Sequence, residues 1–220
     1  MKKQIQILLL ATVLLSCEKV NKSKTDSGAE TPNSTEIQKS SDKNYEKYIY
    51  SKQEYSDAAG KSLIIENSLP KGGLKFTDSN GKIYVYAVFW TRIINETESP
   101  FELEIDFPAA FHTLKSFPEN NLKLLIPSDT LAFDKLDSVN FGLKGLASFL
   151  DKNTHKASSL KKTINTKESS GFYVITLFEK GLNGTLRTGF SLKGQNLFYK
   201  LNNEEILCGK LFLSEEIQHL

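Results

Sequence analysis

The chain has 220 residues and a formal charge of +2, from 28 basic and 26 acidic side chains. That length, less an N-terminal signal and polar lead-in, leaves about 170 residues, which predicts one folded domain with a real core and argues against a second full one. Only Arg92 and Arg187 among the basic residues are arginine, so the bidentate forks that grip phosphate or base edges are scarce and nucleic acid is a poor partner.

At the N-terminus, Lys2 and Lys3 precede a largely apolar run from Ile5 to Cys17. It has the charged, apolar and small-residue parts of a secretory signal, and it is too short for a span of roughly 20 apolar residues. Its end, Leu14-Leu15-Ser16-Cys17, resembles the lipobox of bacterial lipoproteins, although Leu15 is larger than that pattern's usual residue. The resemblance implies cleavage ahead of Cys17 and lipid on its sulfur and new amino group. Several acyl chains hold a protein stably to a bilayer, at about 0.8 kcal/mol per buried methylene. An ordinary secretory signal and a short uncleaved anchor remain the alternatives.

Three regions follow: 1–16 as signal peptide, 17–44 as lipidated cysteine and disordered linker, and 45–220 as a single β-sandwich domain. Residues 1–16 hold Lys2, Lys3 and no acid, so the remainder is neutral, with 26 side chains of each sign. From Glu18 to Asn44 the chain is polar with one proline, Pro32, and cannot bury enough to fold. As a coil of about 27 residues it reaches roughly 25–30 Å. With Cys17 lipidated, Cys208 has no intramolecular partner, and its apolar setting predicts a small buried hydrophobe.

Residues 45–59 carry Tyr45, Tyr48, Ile49, Tyr50 and Tyr55 with weak periodicity, and fit either an edge strand or a short helix. A β-prone run at Ser62–Glu66 leads to the turn Pro70-Lys71-Gly72-Gly73, and Leu74–Phe76 leads to Asp78-Ser79-Asn80-Gly81, whose Asn-Gly favours a tight hairpin. Lys82–Ile94 is nearly all β-branched or aromatic and predicts the strongest strand. After Pro100, Phe101, Leu103, Ile105 and Phe107 alternate with Glu102, Glu104 and Asp106, the period of a half-buried strand. Paired as a hairpin, with Ile93 opposite Phe101 and Arg92 opposite Glu102, these strands would put their odd residues inward. Tyr84, Tyr86, Val88, Trp90 and Arg92 would then share an outer face with Glu102, Glu104 and Asp106.

Short runs follow at 111–117, 122–126 and 130–136, bounded by proline, Asp or Asn. Leu143, Leu146, Ala147 and Leu150 recur at helical spacing and predict one helix over about 140–150, packed across an end of the sheets. Strands are then expected at 160–164, 172–178, 185–192, 196–201 and 205–213. Regularly spaced short strands with turn residues between them predict a mainly β, antiparallel sandwich of about eight to ten strands with one short helix. The passage from Leu160 through Lys167-Glu168-Ser169 into Phe172-Tyr173-Val174 resembles the E-to-F passage of bacterial immunoglobulin-like domains, which implies an immunoglobulin-like sandwich.

Signals for chemistry are sparse. His112, His155 and His219 are scattered without ligand spacing, and no zinc motif or paired-cysteine motif is present, so no metal and no cofactor are expected. Gly189-Phe190-Ser191-Leu192-Lys193-Gly194 misses the nucleophile elbow by one residue and lies between strands. Glu102, Glu104 and Asp106 could hold a cation, but hard cations favour oxygens converging from a loop, and a wetted strand face accounts for them as well.

The flat rings of Tyr84, Tyr86 and Trp90, with Arg92 and the three carboxylates, suit a sugar or an extended peptide unless a second layer, such as Tyr45–Tyr50, covers them. Lysine and asparagine richness with a lipobox resembles the small lipoproteins of the Bacteroidota, many of which serve glycan uptake or envelope assembly. The expectation is a non-enzymatic binding or envelope-structural module, lipid-anchored to the membrane and facing the periplasm or cell exterior, with a glycan or envelope protein as partner. The alternative is a hydrolase whose catalytic residues come from separate loops.

Overall fold

Strand β4 runs from Ile83 to Asn95 and is the longest element among the residues described by the computed structural model, which are 45–56, 60–115, 117–181 and 184–213. Its β-branched and aromatic residues are buried on both faces over most of its length, as befits a central strand. Both edges are taken. Strands β2 (Ser62–Ser68) and β3 (Lys71–Thr77) lie end to end along one edge, pairing with 91–95 and 83–88 of β4. Strand β9 (Ser169–Phe178) fills the other edge, from Val85↔Phe178 to Ile94↔Ser169.

The Asn-Gly turn forms where the sequence predicts it. The Asp78 Oδ1 accepts the N–H groups of Asn80 and Lys82, at 3.0 and 2.8 Å, and Gly81 takes φ +81° to close the β3–β4 hairpin. Strand β1 (Ile49–Ser56) pairs with β2 outside this frame, while β7 (Asn121–Leu125) and the two-residue β6 (His112–Thr113) extend the sheet beyond β9. The result is a seven-stranded antiparallel sheet.

The second sheet has five antiparallel strands in the order β10-β11-β12-β5-β8. They are β5 (Phe101–Phe107), β8 (Ser158–Ile164), β10 (Thr188–Lys193), β11 (Asn196–Leu201) and β12 (Glu204–Leu213). Ile65, Phe89, Ile93, Phe172 and Val174 of the large sheet pack against Leu103, Ile105, Phe107, Phe190, Leu197 and Tyr199 of the small one. Among the described residues the fold is therefore the predicted antiparallel β-sandwich with one α-helix, built from twelve strands where about eight to ten were expected. The strand, turn and strand read at 160–174 run from β8 in one sheet to β9 in the other, with Lys167 turning at φ +61°.

Four expectations are corrected. The strands at 83–95 and 101–107 do not form a hairpin: β4 and β5 lie in facing sheets. With both β4 edges occupied, the chain leaves through an arch held by the Asn95 side chain. That side chain donates to the carbonyls of Ser99 and Ile164 at 2.8 and 3.1 Å and accepts from Thr97 N–H at 2.9 Å. The run at 130–136 is a bridge residue, Thr130, followed by a 3-10 turn at Phe133–Lys135.

The helix, α1 (Leu146–Asn153), begins later than its periodicity predicts, because Asn140, Phe141, Gly142 and Gly145 all have positive φ. It also does not pack across an end of the sheets. Leu131, Leu136, Phe141, Leu143, Leu146 and Leu150 form a third layer over the outer face of the large sheet, on Tyr84, Val88, Trp90, Tyr173, Ile175 and Leu177.

Candidate functional site

The residues expected to share one binding face are separated by this architecture. Tyr84 and Trp90 are 0% exposed. Trp90 meets Phe133 edge-on with ring centroids 6.0 Å apart, and Tyr84 stacks on Phe76 and Phe111 at 6.3 and 6.1 Å. Tyr45, Tyr48 and Ile49 add to the same cluster, so a cover exists, and the loop layer supplies most of it.

Arg92 is half-buried, its guanidinium 4.9 Å from the Phe133 ring and 5.4 Å from that of Tyr45, with NH1 donating to Tyr45 Oη at 3.0 Å. Its nearest carboxylate is that of Glu66, at 3.8 Å, and not Glu102. Burial raises the Glu66 carboxyl above the usual carboxylate range; the charges of Arg92 and Lys52 work against that shift, while Glu46 adds to it.

Glu102, Glu104 and Asp106 lie on the far side of the sandwich, on the outer face of β5. Glu104 accepts from Lys161 at 2.6 Å and Glu102 from Thr163 Oγ1 at 2.8 Å. Cross-strand partners of this kind mark a solvated strand face, and among the described residues no group of His, Cys, Asp and Glu is arranged to hold a metal. His112 is exposed on β6, and the exposed His155 ring lies 6.5 Å from that of Phe111. His219, Cys17 and the whole of 1–44 fall outside the described residues. Cys208 is buried, as its apolar setting predicts, with its thiol pushed up to about 12 by burial and donating to the Leu197 carbonyl at 3.4 Å.

Tyr86, one of the expected binding aromatics, borders a groove of about 260 Å³ lined also by Pro70, Val85, Ala87, Phe178 and Leu186. A second apolar groove, of about 220 Å³, lies among Tyr55, Leu63, Phe101, Leu192, Leu211 and Phe212. A third concavity, more polar than these two, is a cleft of about 110 Å³ lined by Tyr50, Ser51, Gln53, Arg187, Thr188, Lys200 and Asn202.

This cleft is lined by residues of β1 and β10, each the terminal strand of its own sheet. Two side chains join the sheets here. Asn67 of β2 pairs with the backbone of Phe190, and Tyr55 Oη accepts the Leu192 N–H at 2.8 Å. Alternation on β1 sends Ser51 and Gln53 inward and leaves Tyr50 46% exposed at the mouth.

Just ahead of β10, Arg187 is joined to the β11–β12 turn: its N–H donates to Asn202 Oδ1 at 2.9 Å, and its carbonyl accepts from Asn202 N at 2.7 Å. The guanidinium rests 5.2 Å from the centre of the Tyr50 ring. Among the described residues no carboxylate pairs with Arg187 or with Lys200. Sequence reasoning missed this set because its members come from strands far apart in the chain. The one signal was the rarity of arginine. No protein-family model, curated protein or solved structure matches the chain.

Proposed function

We propose that this protein is a lipid-anchored, non-enzymatic binding module of the cell envelope, facing the periplasm or the cell exterior, which takes a glycan or peptide in the cleft between β1 and β10. The observation that supports a ligand there is Arg187, half-buried, stacked on Tyr50 and without a carboxylate partner among the described residues. A cation held in a partly desolvated cleft is costly unless something answers its charge, and an exposed ring beside polar side chains is a common way to seat a sugar or an extended chain. Anchoring rests on the sequence from Lys2 to Cys17, and the polar stretch 18–44 would let the domain search a layer tens of ångströms deep (~25–30 Å) above the lipid.

The test is retention of the detergent-solubilised lipoprotein on immobilised glycans and peptides. Retention by at least one class, lost in Tyr50→Ala while the melting temperature holds, is the expected result. No retention by any member, or chemical turnover of the bound member, would overturn the reading.

A further inference from the structure

Resting on that binding-module reading, we infer that the cleft selects an acidic sugar and holds its carboxylate against Arg187. Several hydrogen-bonding groups around the cleft are already engaged. Gln53 Oε1 accepts from Tyr55 Oη, whose own oxygen is occupied by Leu192 N–H. Asn202 Oδ1 accepts from the Arg187 N–H, which also fixes the orientation of that amide. Ser51 Oγ accepts from Asn67 Nδ2 at 3.2 Å, leaving its proton to be given outward.

Each of those oxygens keeps one further lone pair, but donors outnumber acceptors: two amide NH₂ groups, one hydroxyl proton, the Arg187 fork and the Lys200 ammonium. A donor-lined cleft with two cations is complementary to a ligand that accepts and is negative, and the planar guanidinium matches a carboxylate in two parallel bonds.

The same inventory weighs the two ligand classes. A peptide brings backbone N–H groups next to its carboxylate, and for these the side chains here offer only the second lone pairs of oxygens already engaged, in a lining otherwise rich in donors. A uronic acid brings a carboxylate beside hydroxyls that accept as readily as they donate, and a ring face that can lie on Tyr50 at the mouth. The volume of about 110 Å³ is that of roughly three or four waters, which suits one carboxyl group and its neighbouring ring atoms with the rest of the chain outside.

The experiment is titration calorimetry on the full lipoprotein in detergent micelles, with short oligomers of galacturonate and of glucuronate, their neutral methyl esters, and triglutamate. Acidic oligomers of at least one kind should bind tenfold or more tighter than their esters. Arg187→Gln and Lys200→Gln should each remove most of that preference without moving the melting temperature, and Arg187→Lys should restore only part of it. Esters binding as well as acids would overturn the carboxylate assignment while leaving the binding module standing. Tighter binding of triglutamate would overturn the choice of sugar. Failure of every saccharide would overturn the acidic-sugar inference, and failure of every glycan and every peptide on the broader array as well would defeat both readings.

Discussion

The side chain of Asn67, in the large sheet, takes the place of a neighbouring strand for Phe190, in the small one: its amide donates to the Phe190 carbonyl at 3.1 Å and accepts the Phe190 N–H at 2.8 Å. Strand β10 is an edge, and an edge leaves a row of backbone groups unpaired. Here one buried amide satisfies both groups of the residue, and Thr91 Oγ1 donates to the same Oδ1 at 3.0 Å. The sandwich is thus closed along this side by a side chain.

Replacing Asn67 by Ala should cost about 2–4 kcal/mol, because it leaves a buried N–H and C=O of Phe190 without partners. Urea denaturation measures this. A Cβ on Gly189 would stand 2.7 Å from Asn67 Cγ, so Gly189→Ala should also destabilise the fold, and less so in the Asn67→Ala background. Additive losses would show that the two residues do not share this packing.

At Gly209 the backbones of β12 and β5 come so close that a Cβ would lie 1.9 Å from the Glu104 carbonyl oxygen. Gly209→Ala should therefore cost on the order of 3 kcal/mol or more, or prevent folding, by parting the two strands. Gly194, whose Cβ would meet nothing within 4 Å, is the control: despite φ +58°, Gly194→Ala should cost only about 1–2 kcal/mol. Circular dichroism melts separate these outcomes.

Trp90→Ala should lower stability by about 3–5 kcal/mol, the loss for a large aromatic removed from a closed core. Trp90→Phe should cost far less, because it keeps an aromatic ring and removes an indole N–H that has no partner among the described residues. Saccharide binding by Trp90→Phe should match the unmodified protein, whereas a binding defect with intact folding would return Trp90 to the list of ligand contacts.

Glu66 should make stability fall as the pH rises above the ordinary glutamate value of 4.5. Its pKa is higher in the folded state, chiefly through burial. The folded protein therefore binds that proton more tightly; the advantage is full below the unfolded value and disappears as the pH climbs through the folded one. Arg92 and Lys52 limit the effect and Glu46 enlarges it. Glu66→Gln should flatten this part of the profile in urea midpoints taken from about pH 4 to pH 7. An unchanged slope would place its origin elsewhere.

Lipidation is checked by intact mass. The mature protein should begin at Cys17 and carry acyl mass there, and Cys17→Ala should lose both the added mass and the membrane fraction. A native protein recovered free of membrane with residues 1–16 in place would remove the anchor on which the envelope assignment depends.

The amino-acid order alone determined which side of β4 and of β5 faces inward. Phe89 and Ile93 on β4, and Leu103, Ile105 and Phe107 on β5, lie between the sheets as the period of two requires, and the Asp78–Gly81 turn follows from its own residues. Tertiary structure decided which strands are neighbours. A hairpin and an arch between sheets both turn the same residues of two successive strands inward, so alternation cannot tell them apart; competition for the edges of β4 decides, and β2, β3 and β9 take them. The outer faces then part: Tyr84 and Trp90 go under the loop layer while Glu102, Glu104 and Asp106 meet solvent on the opposite side. The β1–β10 cleft is lined by two strands distant in sequence, brought together by closure of the whole sandwich and by no local pattern.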